Sequence, residues 1–260
     1  MEESMTIRQL QEIYLTMLSE FHDFCVENNL TYYMVGGTLL GAVREKGFIP
    51  WDDDVDLAMP REDYTRFLRT YQGSMLVEAP GSNKERCFPY TKLFYKDIHL
   101  VRVIDDTFSM HGNVMVQFDL YPIDGLGADY KRAQRMVKRI GRYKYLLYLN
   151  QSGGLSKNML KNVALAVIRK LPGTYLAKCV DRAMRRCGKK KNAFVTRWRE
   201  GTRNGNVVAA EVFGEPVLLP FDRLHLYAPQ NYHTYLTDTY GDYQIPRKLN
   251  ENLRHAVGKS

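Results

Sequence analysis

The sequence predicts an α+β fold, in which a mixed β-sheet core has flanking helices and is followed by a basic helical C-terminal portion. Apolar residues recur at steps of three and four over residues 6–28, which predicts an amphipathic helix. Short apolar runs bounded by glycine, proline or aspartate follow at 31–35 and 54–59 and predict strands. Long basic amphipathic segments begin at residue 129. Strands early and basic helices late therefore define the predicted architecture.

The remaining elements follow from the same two periodicities. The first helix ends at the polar run ENN, and the strand TYYMV ends at a Gly-Gly pair. Further helices are predicted at 38–43 (with Thr38 near the N-cap), 61–71, 129–150, 156–171, 174–191 and 229–243, the last ending at Gly241. Strands near 88–95, 99–105 and 114–120 are expected to join one mixed sheet, and the segment between 192 and 228 is predicted to be rich in loops.

Composition excludes several classes of protein. The chain has 260 residues, 45% of them hydrophobic, which suffices for one large domain. Its four cysteines form no CxxC pair, so neither a structural zinc site nor a disulfide framework is expected. No run approaches the roughly 18 uncharged apolar residues of a membrane span. The acidic, polar start does not resemble a secretory signal, so we expect a cytoplasmic protein.

Charge is divided unevenly along the chain. Residues 131–203 contain 21 lysines and arginines but only two acidic residues, a local net charge of +19, whereas the rest of the chain carries −11. Such a basic block fits nucleic acid, an anionic membrane surface or a phosphate-bearing substrate, and it is also compatible with a solvated helical face.

Four aspartates fall within five positions at the start of the predicted strand DVDLAM (54–59): Asp52, Asp53, Asp54 and Asp56. Residues i and i+2 of a strand point to the same face, so Asp54 and Asp56 are expected to project together. Two carboxylates so close repel each other unless a cation compensates them. Mg²⁺ prefers a few carboxylates together with substrate phosphate oxygens, so the pattern predicts a divalent metal site.

Two further motifs complete the pattern. Gly36, Gly37 and Thr38 join a strand to a helix start, where glycine permits close backbone approach and free N–H groups suit a phosphate. The run VQFDLYPID places Asp119 on another predicted strand, from which it could converge on the same metal. Each motif alone is common, but the ordered combination is typical of nucleotidyltransferases.

The amino-acid sequences of these motifs closely resemble those of one family. The segment YYMVGGTLLGAVREKGFIPWDDDVDLAMPREDYTRFL (32–68) resembles the LicD/fukutin-related phosphotransferase family. FDLYPIDGL (118–126) is similar to the second acidic motif of that family, and YHTYLTDTYGDYQIP (232–246) with LRHAV (253–257) is similar to its closing segment. The basic middle, 129–203, matches only weakly.

The resemblance implies a nucleotidyltransferase-like fold and transfer of a phosphate-linked head group from a CDP-activated alcohol, foremost CDP-choline, to a sugar hydroxyl. The acceptor would be a cell-surface glycan or its lipid-linked precursor, and CMP would be released. Asp54 and Asp56 match the metal-binding pair of the family, Asp119 its third acidic residue and Asp52 another recurrent carboxylate. Mg²⁺ or Mn²⁺ is the implied cofactor, and no nucleic acid partner is expected.

Roles for the remaining candidates follow from their positions. Asp119 is the best candidate to orient or deprotonate the acceptor hydroxyl. Gly36, Gly37, Thr38 and Arg44 are predicted to bind the donor phosphates, with Lys46 and Lys92 as weaker candidates. Trp51 could stack on a base but is more typical of packing. Tyr240, Asp242, Tyr243 and His255 lie in the family-like closing segments and are as compatible with structural roles as with substrate contact.

We therefore predict a catalytic core at 1–127 and a basic, helical substrate or acceptor portion at 128–260 that completes the same domain. The basic block leads us to expect a peripheral contact with an anionic membrane, at its inner face. Two alternatives stay open: a nucleotidyltransferase that moves the nucleotide itself onto a small molecule, and a nucleic-acid-binding protein built on the basic block. The intact Asp54, Asp56 and Asp119 argue against a catalytically inactive scaffold.

Overall fold

The computed structural model describes residues 3–98, 100–105, 107, 110–152, 159–186, 192–197 and 207–245. The chain divides into two compact units. The first comprises residues 1–77, 92–120 and 211–260, and the second comprises residues 78–91 and 121–210. The unit boundaries differ from the predicted division after residue 127, because residues from 211 onward group with the N-terminal residues. The predicted domain assignment stays a prediction.

The secondary structure confirms the α+β class. The helices are α1 (Ile7–Glu27), α2 (Gly36–Arg44), α3 (Arg61–Thr70), α4 (Tyr130–Gln151), α5 (Met159–Arg169), α6 (Gly173–Arg185) and α7 (Tyr232–Tyr240), with a 3₁₀ turn at Ala210–Val212. The strands are β1 (Glu3–Met5), β2 (Tyr33–Met34), β3 (Asp56–Pro60), β4 (Leu76–Glu78), β5 (Thr91–Phe94), β6 (Leu100–Asp105), β7 (Met110–Met115), β8 (Gln117–Gly127), β9 (Phe194–Arg197), β10 (Val208–Ala209), β11 (Val217–Phe221) and β12 (Leu224–Ala228).

Helix α1 forms the centre of the first unit. Thr6 is its N-cap and makes a capping box with Gln9, in which each side chain bonds the backbone N–H of the other residue. The apolar stripe of α1 is buried, including Leu10, Tyr14 and Phe21. Phe21 packs edge-on against Phe118 of β8 with ring centroids 5.4 Å apart. The sequence prediction for this helix is confirmed.

The strands of the first unit do not all join one sheet, and that expectation was wrong. β2 pairs antiparallel with β3, and β3 lies next to β8, which also pairs with β5. β6 instead pairs in parallel with β1 and antiparallel with β7, in a separate three-stranded sheet. Periodicity identifies a strand but not its partner. The partners of β6 are β1 and β7, so β6 belongs to the second sheet.

A hairpin occupies part of the segment that was predicted to be rich in loops. β11 and β12 pair antiparallel from Val217↔Ala228 to Phe221↔Leu224. Asp222 makes the turn with a positive φ of 51°, a conformation that aspartate adopts more readily than most residues. α7 follows and ends at Gly241, whose φ is 73°, as the sequence predicted.

The second unit contains the basic helices. α5 and α6 both pack on α4, and the apolar core of the unit includes Cys87, Leu126, Val137, Ile140, Val180 and Met184. Residues 121–127 of β8 pair with β9, which pairs with β10. In the described ranges, no helix has both the length and the apolar character that crossing a bilayer requires.

Candidate functional site

The Gly-Gly turn and the aspartate cluster are in direct contact within the first unit. Val35 N–H donates to the carbonyl of Asp56 at 3.1 Å, which joins the end of β2 to the start of β3. Gly36 has a φ of +60°, and a Cβ atom there would lie 2.4 Å from Asp56 Oδ2. A Cβ on Gly37 would lie 2.9 Å from Asp52 Oδ2. Both glycines therefore leave room for carboxylates that press against the start of α2.

Thr38 holds the strand rather than capping the helix. α2 begins at Gly36, and its N-cap is Val35. Thr38 is buried in the first turn, where its Oγ1 accepts a hydrogen bond from the backbone N–H of Asp56 at 2.9 Å. The prediction that Thr38 lies near the N-cap was wrong by about one turn, because α2 begins two residues earlier, at Gly36.

The acidic cluster spans the entrance to β3. Asp56 is the first residue of the strand and is buried, whereas Asp54 precedes the strand and is half-buried. The prediction that both lie on the strand was therefore correct only for Asp56.

Burial and like charge act together on the cluster. Burial, followed by the charges of Asp53 and Asp56, raises the pKa of Asp52 to about 8. Burial, followed by the charges of its three neighbouring aspartates and of Asp119, raises the pKa of Asp54 well above its usual range. Asp52 Oδ2 is buried and has no hydrogen-bond partner. The fold therefore concentrates negative charge that its own side chains compensate incompletely.

Asp119 enters the site from the neighbouring strand. Its backbone N–H donates to the carbonyl of Val55 at 2.9 Å, which joins β8 to the residues just before β3. Its Oδ1 lies 2.6 Å from the Nζ of Lys92, on β5, and the Lys92 side chain is buried. Lys92 was a weaker candidate from sequence, and the structure brings it to the acidic site as an ion-pair partner.

Helix α1 holds the segment from Ile49 to Asp54, the aspartate loop, through hydrogen bonds that the sequence did not predict. Gln11 Nε2 donates to the carbonyls of Ile49 and Asp52, both at 3.1 Å. Tyr14 Oη donates to the carbonyl of Asp53 at 3.0 Å. Gln11 is buried on the apolar side of α1. A glutamine in that position was the available signal, because buried polar side chains require partners.

The hairpin of β11 and β12 holds the preceding loop. Asp222 N–H donates to the Lys46 carbonyl at 2.7 Å, and Asp222 Oδ2 accepts from Phe48 N–H at 3.2 Å. A Cβ on Gly47 would lie 2.4 Å from Asp222 Oδ2. This contact was also missed, since it joins residues far apart in the chain.

The predicted phosphate-binding cations have other contacts. Arg44 is in the last turn of α2, at the end opposite Gly36, and pairs with Glu45 at 3.1 Å. Lys46 is exposed and its Nζ donates to the Val43 carbonyl at 3.4 Å. Arg44 and Lys46 thus have partners outside the aspartate cluster, and their roles in donor binding stay predictions.

The remaining sequence candidates, Trp51 and four C-terminal residues, differ in their surroundings. Tyr243 is buried and its hydroxyl bonds His233 Nδ1 of α7, which indicates a bracing role. Tyr240 ends α7, and Asp242 is exposed just after it. Trp51, in the turn before the acidic cluster, is half-buried. His255 lies outside the described residues.

The carboxylates of the aspartate cluster fit a hard divalent cation in some respects. Crowded carboxylates, one with a buried oxygen that lacks a partner, are the oxygen ligands that Mg²⁺ prefers. Within the described ranges, however, no group of three or more His, Cys, Asp or Glu side chains is arranged to enclose a metal by itself. Mg²⁺ commonly binds through one or two carboxylates, with substrate phosphates and waters completing its shell. The residues present are compatible with that mode.

Comparison with known proteins agrees with these motifs. Residues 29–139 match the family model for the LicD/FKTN/FKRP nucleotidyltransferase domain. A stretch of 64 residues, 25% of this chain, is 48% identical to the lipopolysaccharide cholinephosphotransferase LicD of Haemophilus influenzae and covers 24% of that protein. A stretch of 108 residues, 41% of this chain, is 33% identical to an uncharacterized protein of Rickettsia prowazekii and covers 39% of it.

A third relative, an uncharacterized protein of Rickettsia typhi, is 43% identical over 51 residues, which are 20% of this chain and 16% of that protein. The chain thus spans less than half the length of each of these curated relatives. The segment matched by the family model contains the Gly-Gly turn, the four aspartates, Lys92 and Asp119. Together with the α+β architecture around them, these motifs make residues 29–139 similar to the LicD/FKTN/FKRP nucleotidyltransferase domain.

Proposed function

We propose that this protein is a metal-dependent phosphotransferase that uses a CDP-activated alcohol, foremost CDP-choline, and releases CMP. The acceptor is a sugar hydroxyl of a cell-surface glycan or of its lipid-linked precursor. Choline is favoured over other alcohols because the Haemophilus relative is named a lipopolysaccharide cholinephosphotransferase. A nucleotide-activated donor and a glycan acceptor are also what the family suggests in general terms.

One observation carries the proposal. Asp56 lies against Gly36 and Asp52 lies against Gly37, and Asp119 is on the adjacent strand. Burial and mutual repulsion disfavour the ionised forms of Asp52 and Asp54, so a cluster this crowded is unfavourable for folding alone. Proteins retain such sites where a cationic ligand offsets the repulsion. A diphosphate that arrives with a divalent cation supplies both the charge and the oxygen ligands.

The proposed reaction breaks one P–O bond and forms another. The acceptor hydroxyl oxygen attacks the phosphorus that carries the choline, the bond from that phosphorus to the CMP oxygen breaks, and CMP departs with the electron pair. Asp119 orients the hydroxyl and accepts its proton, and Lys92 holds the Asp119 carboxylate in position. When bound by Asp54 and Asp56, with Asp52 and Asp119 nearby, Mg²⁺ or Mn²⁺ would neutralise charge on the phosphates.

The first unit gives these groups a rigid support. Gln11 and Tyr14 fix the backbone of the aspartate loop, and Thr38 fixes the backbone of Asp56. Phosphoryl transfer depends chiefly on positioning and on charge neutralisation, so this support is part of the proposed mechanism rather than only of the fold.

A donor panel tests the proposal. The protein is incubated with Mg²⁺, a bacterial glycan extract and CDP-choline, CDP-ethanolamine, CDP-glycerol or CDP-ribitol in turn, and CMP is measured by chromatography. We expect CMP release and head-group incorporation with CDP-choline, and neither with Asp56→Asn. A transferase that moves the nucleotide itself would instead release pyrophosphate from CTP or ATP and incorporate the nucleotide. That result, or no turnover of any CDP-alcohol, would contradict the proposal.

A further inference from the structure

Helix α5, in the second unit, exposes an apolar stripe. Val163 and Val167 are 58% and 62% exposed, and Leu171 just beyond the helix is exposed as well. Val163 and Val167 are four residues apart, so they lie on one side of the helix. Ala164 and Ala166, which flank these valines around the helix, are exposed too, whereas Leu165 is buried. The helix therefore turns a hydrophobic side to the surface as well as to the core.

The neighbouring helices α4 and α6 also expose aromatic side chains. Tyr148 near the end of α4 is 63% exposed, and its ring stacks on that of Tyr145 at 6.2 Å. Asn150 Nδ2 donates to the carbonyls of Ile168 and Leu171, which ties the end of α4 to the end of α5. Tyr175 in the first turn of α6 is 60% exposed. Exposed apolar residues are normal singly, whereas several on three helices of one unit favour an interaction site.

The same three helices carry an excess of exposed positive charge. Their exposed basic residues are Lys131, Arg132, Arg135, Lys138, Arg139, Arg142, Lys170, Lys178, Arg182, Arg185 and Arg186. Asp181 is the one acidic residue in the sequence from 130 to 186, and it pairs with Arg185 at 2.7 Å. On α4, Arg139 and Arg142 each precede an exposed apolar residue by four positions, Tyr143 and Leu146. Cations and apolar side chains therefore alternate on one helix side.

We propose that the exposed side of α4, α5 and α6, the helical surface, binds the surface of an anionic lipid bilayer. Interfacial helices combine lysine and arginine with aromatic and aliphatic side chains, which enter the boundary between head groups and acyl chains. Tyrosine is enriched at that level because its ring is amphipathic. Both components are present on the helical surface, and the charge is complementary to anionic head groups.

The balance of charge and apolar area favours lipid over other occupants. A nucleic acid site would need cations that follow a phosphate backbone, and exposed valines contribute nothing to such contacts. A second copy of the chain would bring the same positive charge against itself, which repels. Binding of the helical surface to the bilayer would place the protein beside a lipid-linked substrate, which extends the proposed function. It does not depend on the chemistry of the acidic site.

Vesicle co-sedimentation tests the inference. The full chain is mixed with vesicles of pure phosphatidylcholine or of phosphatidylcholine with 30 mol% phosphatidylglycerol, at low and at high salt. We expect sedimentation with the anionic vesicles at low salt, release at high salt, and little sedimentation with neutral vesicles. Each surface charge contributes roughly fivefold in affinity, attenuated by salt. Arg139→Gln with Arg142→Gln should therefore lower partitioning at least about tenfold.

Matched variants separate the helical surface from general effects. Val163→Ser with Val167→Ser should also weaken partitioning, whereas Leu218→Ser and Arg69→Gln, exposed positions of the first unit, should leave it unchanged. The mass of the protein in solution is measured by light scattering. Equal recovery in the supernatant with both vesicle types, wild-type partitioning by both double variants, or a dimer that the valine variant dissociates would each overturn the inference. CMP release by the same variants reports independently on the acidic site.

Discussion

Lys92 Nζ lies 2.6 Å from Asp119 Oδ1, and the two side chains are only 6% and 18% exposed. The pair joins β5 to β8 within the first unit, next to the acidic loop that precedes β3. An ammonium in this position partly offsets the negative charge of the site and fixes one oxygen of Asp119. We therefore regard Lys92 as a positioning residue of the proposed site.

Lys92→Met should lower both activity and stability. The variant keeps the length of the side chain but leaves Asp119 without this cation, which typically destabilises a buried pair by on the order of 3 kcal/mol. Asp119→Asn should lower kcat by at least ~10²-fold with a smaller effect on donor affinity. Urea denaturation and initial rates of CMP release provide the measurements.

A double-mutant cycle on these two residues identifies their interaction. The stability losses should be less than additive by about 1 kcal/mol or more, because each single change already breaks the pair. Lys92→Arg should recover part of the activity. Additive losses, with no recovery by arginine, would assign Lys92 a role in packing alone.

Gly36→Ala should remove activity and lower stability more than an ordinary Gly→Ala change. The new Cβ would meet Asp56 Oδ2 at 2.4 Å, and a φ of +60° is itself unfavourable for alanine by about 1 kcal/mol. Gly127→Ala is the matched control, since its φ is +83° but no atom lies within 4 Å of the added Cβ. Thermal denaturation and CMP release compare the two. Equal losses in both variants would mean that the φ, rather than the carboxylate contact, makes glycine necessary.

Gln11→Leu should reduce kcat through the aspartate loop, although Gln11 is on a helix that supplies no carboxylate. The change deprives the carbonyls of Ile49 and Asp52 of a buried donor, at about 1–3 kcal/mol of stability. Gln134→Leu, an exposed position of α4, is the control for the substitution itself. If Gln11→Leu destabilises the protein but retains wild-type kcat below its melting temperature, the loop does not depend on this bond for catalysis.

His22 should make the first unit sensitive to acid. Burial lowers the pKa of His22 from its ordinary value of 6.5, and its Nδ1 lies 2.9 Å from Tyr32 Oη. The unfolded chain therefore binds a proton before the folded one as the pH falls, so stability is full above pH 6.5 and declines below it. His22→Gln should flatten this decline in urea titrations between pH 7.5 and 5.5. Identical pH profiles for the wild type and His22→Gln would refute the assignment.

Local signals account for the elements that were predicted correctly. The capping box of Thr6 and Gln9 and the apolar period behind it define α1, and the positive φ of Gly241 ends α7. Pairing of distant segments has no such signal. β1 is too short for a pattern to indicate, and the turn at Asp222 contains no glycine to mark it. The second sheet and the hairpin were missed for these reasons.

The candidate site also contains residues that were predictable from local sequence and residues that were not. The carboxylates were recognisable because their spacing and residue type imply charge repulsion that needs an explanation. The side chains that support them were not, because Gln11 and Asp222 act through backbone groups far along the chain. Their identity depends on the tertiary fold, and a buried polar residue on an amphipathic helix was the one clue in the sequence.

Donor binding with and without metal tests the central claim most directly. Titration calorimetry measures the affinity of CDP-choline for the wild type, Asp54→Asn and Asp56→Asn, in Mg²⁺ and in excess EDTA, with circular dichroism to confirm that each variant is folded. We expect binding by the wild type that depends on Mg²⁺ and is at least about tenfold weaker in either variant. Equal affinity in Mg²⁺ and EDTA, or wild-type affinity in both folded variants, would contradict the assignment of the acidic cluster as the metal and donor site.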